Sequence, residues 1–176
     1  MKLKDPVYSL LAIALVKFAL MQAFGNVFQE SIASLPEFST PVTSYKRLLE
    51  GVFLASKGIS PYTGYVCHQS PLLLFIFQSL SNLPNWCADL CFVIADLYIA
   101  LLLVKISNLK FNESHNSPKE KATKASPIFI GLFYLLNPYS CMISMTKSTA
   151  VFEYAATISS IYSALSGIYY PQESIA

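Results

Sequence analysis

A chain of 176 residues that is 54% hydrophobic and 12% charged, with mean hydropathy +0.48, carries about half the roughly 25% charge of a soluble domain and points to the bilayer. A formal net charge of +2, with no basic run interleaved with aromatics, gives no nucleic-acid face. The four cysteines show no CxxC or Cys/His ligand spacing, so no metal or cofactor is implied and the redox compartment is undecided.

Residues 8–28 are long and apolar enough to cross a membrane. Lys2 and Lys4 precede them, and the positive-inside rule then keeps the N-terminus cytosolic. No small-residue cleavage site follows, so the segment reads as a retained anchor. Lys17 sits in the middle of this span, where a charge is expensive and faces protein or a water-filled cavity. Pairing inside a helix bundle is the favoured reading, with a functional role as the alternative.

From Gln29 to Gln69 the chain becomes polar, and the prolines at 36, 41 and 61 divide it. This stretch is expected on the lumenal side. Within it, residues 44–57 carry Tyr45, Leu48, Leu49, Val52 and Phe53 at the spacing of one helical face, with Lys46, Arg47, Glu50 and Lys57 elsewhere. Thr43 and Ser44 can cap its start, and Gly58 with Pro61 ends it. A helix this short suits the membrane surface better than a crossing.

Residues 70–83 are apolar but short, which suits a re-entrant or interfacial element. Residues 86–106 form the next span, with Trp86 and Lys105 at its ends. Asp89 and Asp96 lie seven apart on one face, and Asp96 is deep enough to need a partner, for which Lys17 is the candidate. Cys87 and Cys91, at i and i+4, read as buried free thiols, and the neighbours Cys67 and His68 are poorly placed to act as nucleophile and base. The lysines of residues 107–126 mark a cytosolic loop, which would leave the sequon at Asn112 to Ser114 unused.

Residues 127–145 form a third span, broken at Asn137 and Pro138, where proline removes a backbone donor and disfavours helix before it. Lys147, Ser148 and Thr149 make a tight polar turn. Residues 149–168 are a fourth, weaker span rich in small residues such as Ala155, Ala156, Ser159 and Ser160. Residue patterns alone therefore give an all-α, multi-span membrane domain over 1–176, without a phosphate loop, metal cluster or nucleophile–base pair.

The blocks Ser44 to Gly51, Gly58 to Gly64, His68 to Leu73, Phe133 to Tyr139 and Lys147 to Thr149, in this order and separation, resemble the PIG-U family of GPI transamidase subunits. The family is longer, so this chain corresponds to its N-terminal part. The resemblance implies a fold related to the GT-C-like membrane glycosyltransferases, an endoplasmic reticulum membrane location, and the GPI lipid and other transamidase subunits as partners. It also implies a non-catalytic role in recognising or positioning the GPI lipid. Related mannosyltransferases carry a catalytic aspartate in the first lumenal loop, whereas Pro41, Val42, Thr43, Ser44 and Tyr45 stand in the corresponding stretch here. A GPI mannosyltransferase-like enzyme and a small helical transporter or assembly factor are the alternatives. Site candidates for lipid binding or subunit contact are Tyr62, His68, Asn137, Pro138, Tyr139, Lys147 and Ser148, with Lys17 and Asp96 as intramembrane charges. A polar notch for phosphate or glycan at the broken span, and a helix break with only a structural purpose, are both open readings of this motif.

Overall fold

The computed structural model describes residues 4–33, 35, 37–64, 67–115 and 126–169. These form helices α1 (Lys4–Ser31), α2 (Tyr45–Ser56), α3 (Pro71–Leu80), α4 (Asn85–His115), α5 (Ile128–Leu136), α6 (Pro138–Met145) and α7 (Ala150–Tyr169), with no strand among the described residues. Two of them, at Val7–Ser31 and Asn85–Leu109, are long and apolar enough to cross a membrane; the bent pair α5 and α6 makes a third if it counts as one span.

Along α1, Leu10, Ala14, Lys17, Met21 and Gly25 recur every three or four residues and form the buried stripe. Leu11, Leu15, Val16, Phe24 and Val27 are exposed on the opposite side. An apolar wall of this kind is costly in water and natural in hydrocarbon. Helix α4 is central, with α1, α5 and α7 packed against it. It buries Ala88, Phe92, Ala95, Ile99 and Leu102 on one edge and Asp89, Val93, Asp96 and Ala100 on the next. Helix α7 lies along α4, where the small residue Ala155 packs near Ala95 and Ile99 and Ser159 shares a 3.0 Å hydrogen bond with Tyr98.

One difference from the sequence expectation concerns residues 107–126. Helix α4 continues through residues 107–115 to His115, because no proline or glycine interrupts it there. The rest of the expected loop, 116–125, lies outside the described residues.

An aromatic cluster ties the short helices to the bundle. Tyr45 of α2, Phe77 of α3, Phe92 of α4 and Phe152 of α7 meet with ring centroids 5.1 to 6.0 Å apart, the edge-on and tilted spacing that aromatic pairs favour. The stripe of α2 is consequently divided. Leu48, Gly51 and Val52 are buried against protein, while Leu49 and Phe53 are exposed.

Local chemistry fixes the helix ends. Ser44 occupies the N-cap position of α2 but makes no side-chain cap bond; the Thr43 hydroxyl is paired with Thr40 instead, 3.0 Å between oxygens. Gly58, at φ +73°, takes the left-handed conformation that closes α2 and that only glycine adopts without strain. Ser70 caps α3 by accepting from Leu73 N at 3.3 Å, and Pro71 fills the first helical position.

At the break, α5 and α6 bend by 56°. The Asn137 side chain accepts from Tyr139 N at 2.9 Å and so caps α6, with Pro138 at its first position. The Cys141 thiol donates to Leu135 O at 3.2 Å, satisfying a carbonyl that the break releases.

Candidate functional site

Three polar clusters lie along the bundle. Midway along α1, Lys17 Nζ is 2.6 Å from Asp96 Oδ2, both side chains being buried. Asp96 also accepts from Tyr134 of α5 at 3.0 Å and from Ser144 of α6. Asp96 therefore gathers a donor from each of three elements, two of them on either side of the break. A buried charge is tolerated only when paired and hydrogen-bonded in this way.

The second cluster is built on Asp89. Lys147 Nζ stands 2.6 Å from Asp89 Oδ1, and Gln22 Nε2 donates to Asp89 Oδ2 at 2.8 Å. Lys147 has φ +53°, a left-handed backbone that costs a side-chain-bearing residue about 1–2 kcal/mol. That conformation directs its side chain into the bundle, where the ammonium also lies 5.5 Å from the centre of the Tyr45 ring. Burial, reinforced by Asp89 and Cys91, pushes the Tyr45 phenol up to about 12. The phenol is neutral at physiological pH, so Lys147 faces an uncharged aromatic ring.

The third cluster closes the end of the bundle around Gln69, which is buried. Its Nε2 donates to Val42 O at 2.5 Å and its Oε1 accepts from Thr149 Oγ1 at 3.1 Å. Tyr62 donates to Gln69 O at 3.0 Å, and Thr149 N donates to Thr43 O at 2.8 Å. One amide thus joins the segment before α2, the loop before α3 and the turn before α7. Gln69 lies within the block His68 to Leu73, yet its place in the sequence assigns it no role. An uncharged residue in a polar stretch gives no signal of burial.

Beside this junction lies a cavity of about 320 Å³, whose walls include Glu37, Thr40, Thr43, Tyr139, Ser148 and Glu153. Tyr139 donates to Glu37 O at 3.1 Å, and its ring lies 5.9 Å from that of Phe38. The Ser148 hydroxyl is fully buried and has no hydrogen-bond partner.

The structure distributes the residues singled out from sequence over different places. Tyr139 and Ser148 share this cavity. Asn137 and Pro138 are occupied in starting α6. Lys147 is committed to Asp89 and does not line the cavity. Tyr62 and His68 border a separate hollow with Thr63, Gly64 and Cys67; Cys67 is buried there and His68 exposed. Among the described residues, no three His, Cys, Asp or Glu side chains gather in a way that could hold a metal ion.

These features define an all-helical protein with apolar membrane-type helices, pinned together by buried ion pairs and carrying a polar cavity at one end. The family model for GPI transamidase subunit PIG-U matches residues 11–174, and the chain belongs to the PIG-U family. It is 31% identical over 159 residues to the GPI-anchor transamidase component PIGU of Cricetulus griseus, covering 79% of this chain and 36% of the relative. To the human PIGU it is 31% identical over 144 residues, covering 72% and 32%. To the GPI transamidase component GAB1 of Saccharomyces cerevisiae it is 31% identical over 155 residues, covering 86% and 36%. The chain spans about a third of the length of these relatives.

Proposed function

We propose that this chain acts as a non-catalytic subunit of a GPI transamidase complex in the endoplasmic reticulum membrane, where it helps to recognise or position the GPI lipid. The observation that carries the reading is the match to the subunit family over residues 11–174, most of the chain. The geometry is compatible with such a role. The stretch Pro41 to Tyr45, which the resemblance sets against the aspartate-bearing stretch of related mannosyltransferases, holds no carboxylate, and its Thr43 ties its hydroxyl to Thr40. The broken pair α5 and α6 sets a cavity with polar walls beside the apolar faces of the bundle.

In the proposed topology, α1, α4, the pair α5–α6 and α7 cross the membrane. The N-terminus and residues 107–126 are cytosolic, and α2 lies at the lumenal surface with Leu49 and Phe53 toward the interface. The fold is proposed to be related to the GT-C-like membrane glycosyltransferases.

Co-purification of the tagged chain with transamidase subunits from endoplasmic reticulum membranes tests the assignment. Recovery of the subunits is the expected result. A chain that is stably folded in the membrane yet recovers none of them would overturn it.

A further inference from the structure

We propose that α6 is the movable arm of a hinge at Asn137 and Pro138, and that the Ser144 hydroxyl is its releasable clasp on Asp96. This goes beyond the subunit reading above and does not rest on it. A break leaves two helical rods whose relative angle is fixed by no hydrogen bond within either rod. The rod before the break is held along α4. Leu135 is fully buried with Leu10 and Ala100, and a Cβ added at Gly131 would stand 3.1 Å from the Ala100 carbonyl oxygen. Past the break, residues 138–142 are exposed or half-buried, and burial resumes at Ile143 and Ser144. Over that stretch the arm touches the lumenal segment through Tyr139, whose hydroxyl donates to Glu37 O at 3.1 Å. Ser144 then bonds Asp96 of α4.

The chemistry of Ser144 makes this clasp releasable. A serine hydroxyl carries one proton, and two acceptors stand within its reach. One is the Asp96 carboxylate, and the other, at 3.0 Å, is the Ser140 carbonyl one turn back on α6. When the proton turns to Ser140, the donor stays satisfied within its own helix. Asp96 meanwhile keeps Lys17 at 2.6 Å and Tyr134 at 3.0 Å. Letting go therefore strands no buried charge or donor, the cost that locks a polar contact inside a bundle. Contacts beyond Ser144 tether the far end of the arm. Gln29 Nε2 donates to Thr146 O at 2.8 Å, Lys147 pairs with Asp89, and Thr149 N donates to Thr43 O. Release accordingly loosens the stretch between the break and Ser144 and leaves the lumenal turn in place. A native thiol reports on that stretch, since Cys141 donates to Leu135 O across the break at 3.2 Å.

The test follows alkylation of the free cysteines 67, 87, 91 and 141 by N-ethylmaleimide in the detergent-solubilised full chain, resolved site by site by peptide mass spectrometry. Ser144→Ala removes the clasp while Asp96 retains Lys17 and Tyr134. It is expected to speed alkylation of Cys141 by about fivefold, the population change that one hydrogen bond of ordinary net strength supports. Cys87 and Cys91, both on α4, should react at their original rates. Amide exchange should quicken over residues 138–144 and stay unchanged in α1 and α4, the pattern of a local opening. Two controls each delete one hydroxyl elsewhere. Tyr134→Phe acts on the fixed rod, and Tyr98→Phe removes the bond to Ser159; neither should speed Cys141. Unaltered Cys141 alkylation and exchange in Ser144→Ala would overturn the proposal, as would equal acceleration in Tyr134→Phe. Faster exchange spread through α1 and α4 would also overturn it, because it marks a general loss of packing and not a hinge.

Discussion

Lys17 of α1 and Asp96 of α4 meet at 2.6 Å in the buried middle of the bundle. The contact explains how two apolar helices each accommodate a charge. It also fixes their relative orientation, because Gln22, further along α1, reaches Asp89, earlier on α4. The two helices run antiparallel.

Removing one member of this pair leaves the other charge buried and unpaired, at roughly 3–5 kcal/mol. Lys17→Met and Asp96→Asn are each expected to lower the thermal midpoint of the detergent-solubilised chain, measured by loss of the monodisperse peak on size exclusion after heating. Lys17→Met combined with Asp96→Asn should cost less than the sum of the two. Strictly additive losses would show that the charges do not act as a pair.

Lys147 and Asp89 make a second test with a different signature. Lys147→Gly relieves a left-handed backbone but strands Asp89, and the stranded carboxylate is the larger effect. The variant is expected to be destabilised, and adding Asp89→Asn should recover part of the loss. A more stable Lys147→Gly chain would mean that backbone strain outweighs the ion pair.

Close packing at Gly131 gives a prediction about shape. A methyl group at this position would come within 2.8 Å of Val104 Cγ2 and 3.1 Å of the Ala100 carbonyl oxygen. Gly131→Leu is therefore expected to push α5 away from α4 and to cost roughly 1–3 kcal/mol or more, as overpacking does. The same measurement of the thermal midpoint checks it, with Gly64→Leu, whose surroundings are open, as the comparison.

The topology can be read by glycosylation. The sequon at Asn112 should remain unmodified, whereas Pro61→Asn, which completes a sequon with Thr63, should acquire an endoglycosidase-sensitive glycan. Expression in endoplasmic reticulum membranes and a gel-shift assay give both answers. Modification at Asn112 alone would invert the proposed orientation.

Much of the architecture was legible in residue order. Hydropathy marked the long apolar helices, because burial of about twenty consecutive apolar residues has few solutions. The break at Asn137 and Pro138 was legible from the missing backbone donor, and the motif blocks pointed to the family. The charges at Lys17 and Asp96 announced buried partners, since hydrocarbon does not solvate them; the pairing of Asp89 was not legible.

Only the tertiary structure decided how those charges were shared. Lys147 reads in sequence as an accessible cation in a polar turn, yet its left-handed backbone turns it inward to Asp89. Gln69 carries no charge and no periodic signal, yet its amide joins three segments far apart in the chain. The cavity with Glu37, Tyr139, Ser148 and Glu153 is likewise assembled from residues more than a hundred positions apart. Local sequence determines helices and breaks because their hydrogen bonds are local. Long-range polar contacts depend on which helix faces pack together, and that is settled only when the whole bundle closes.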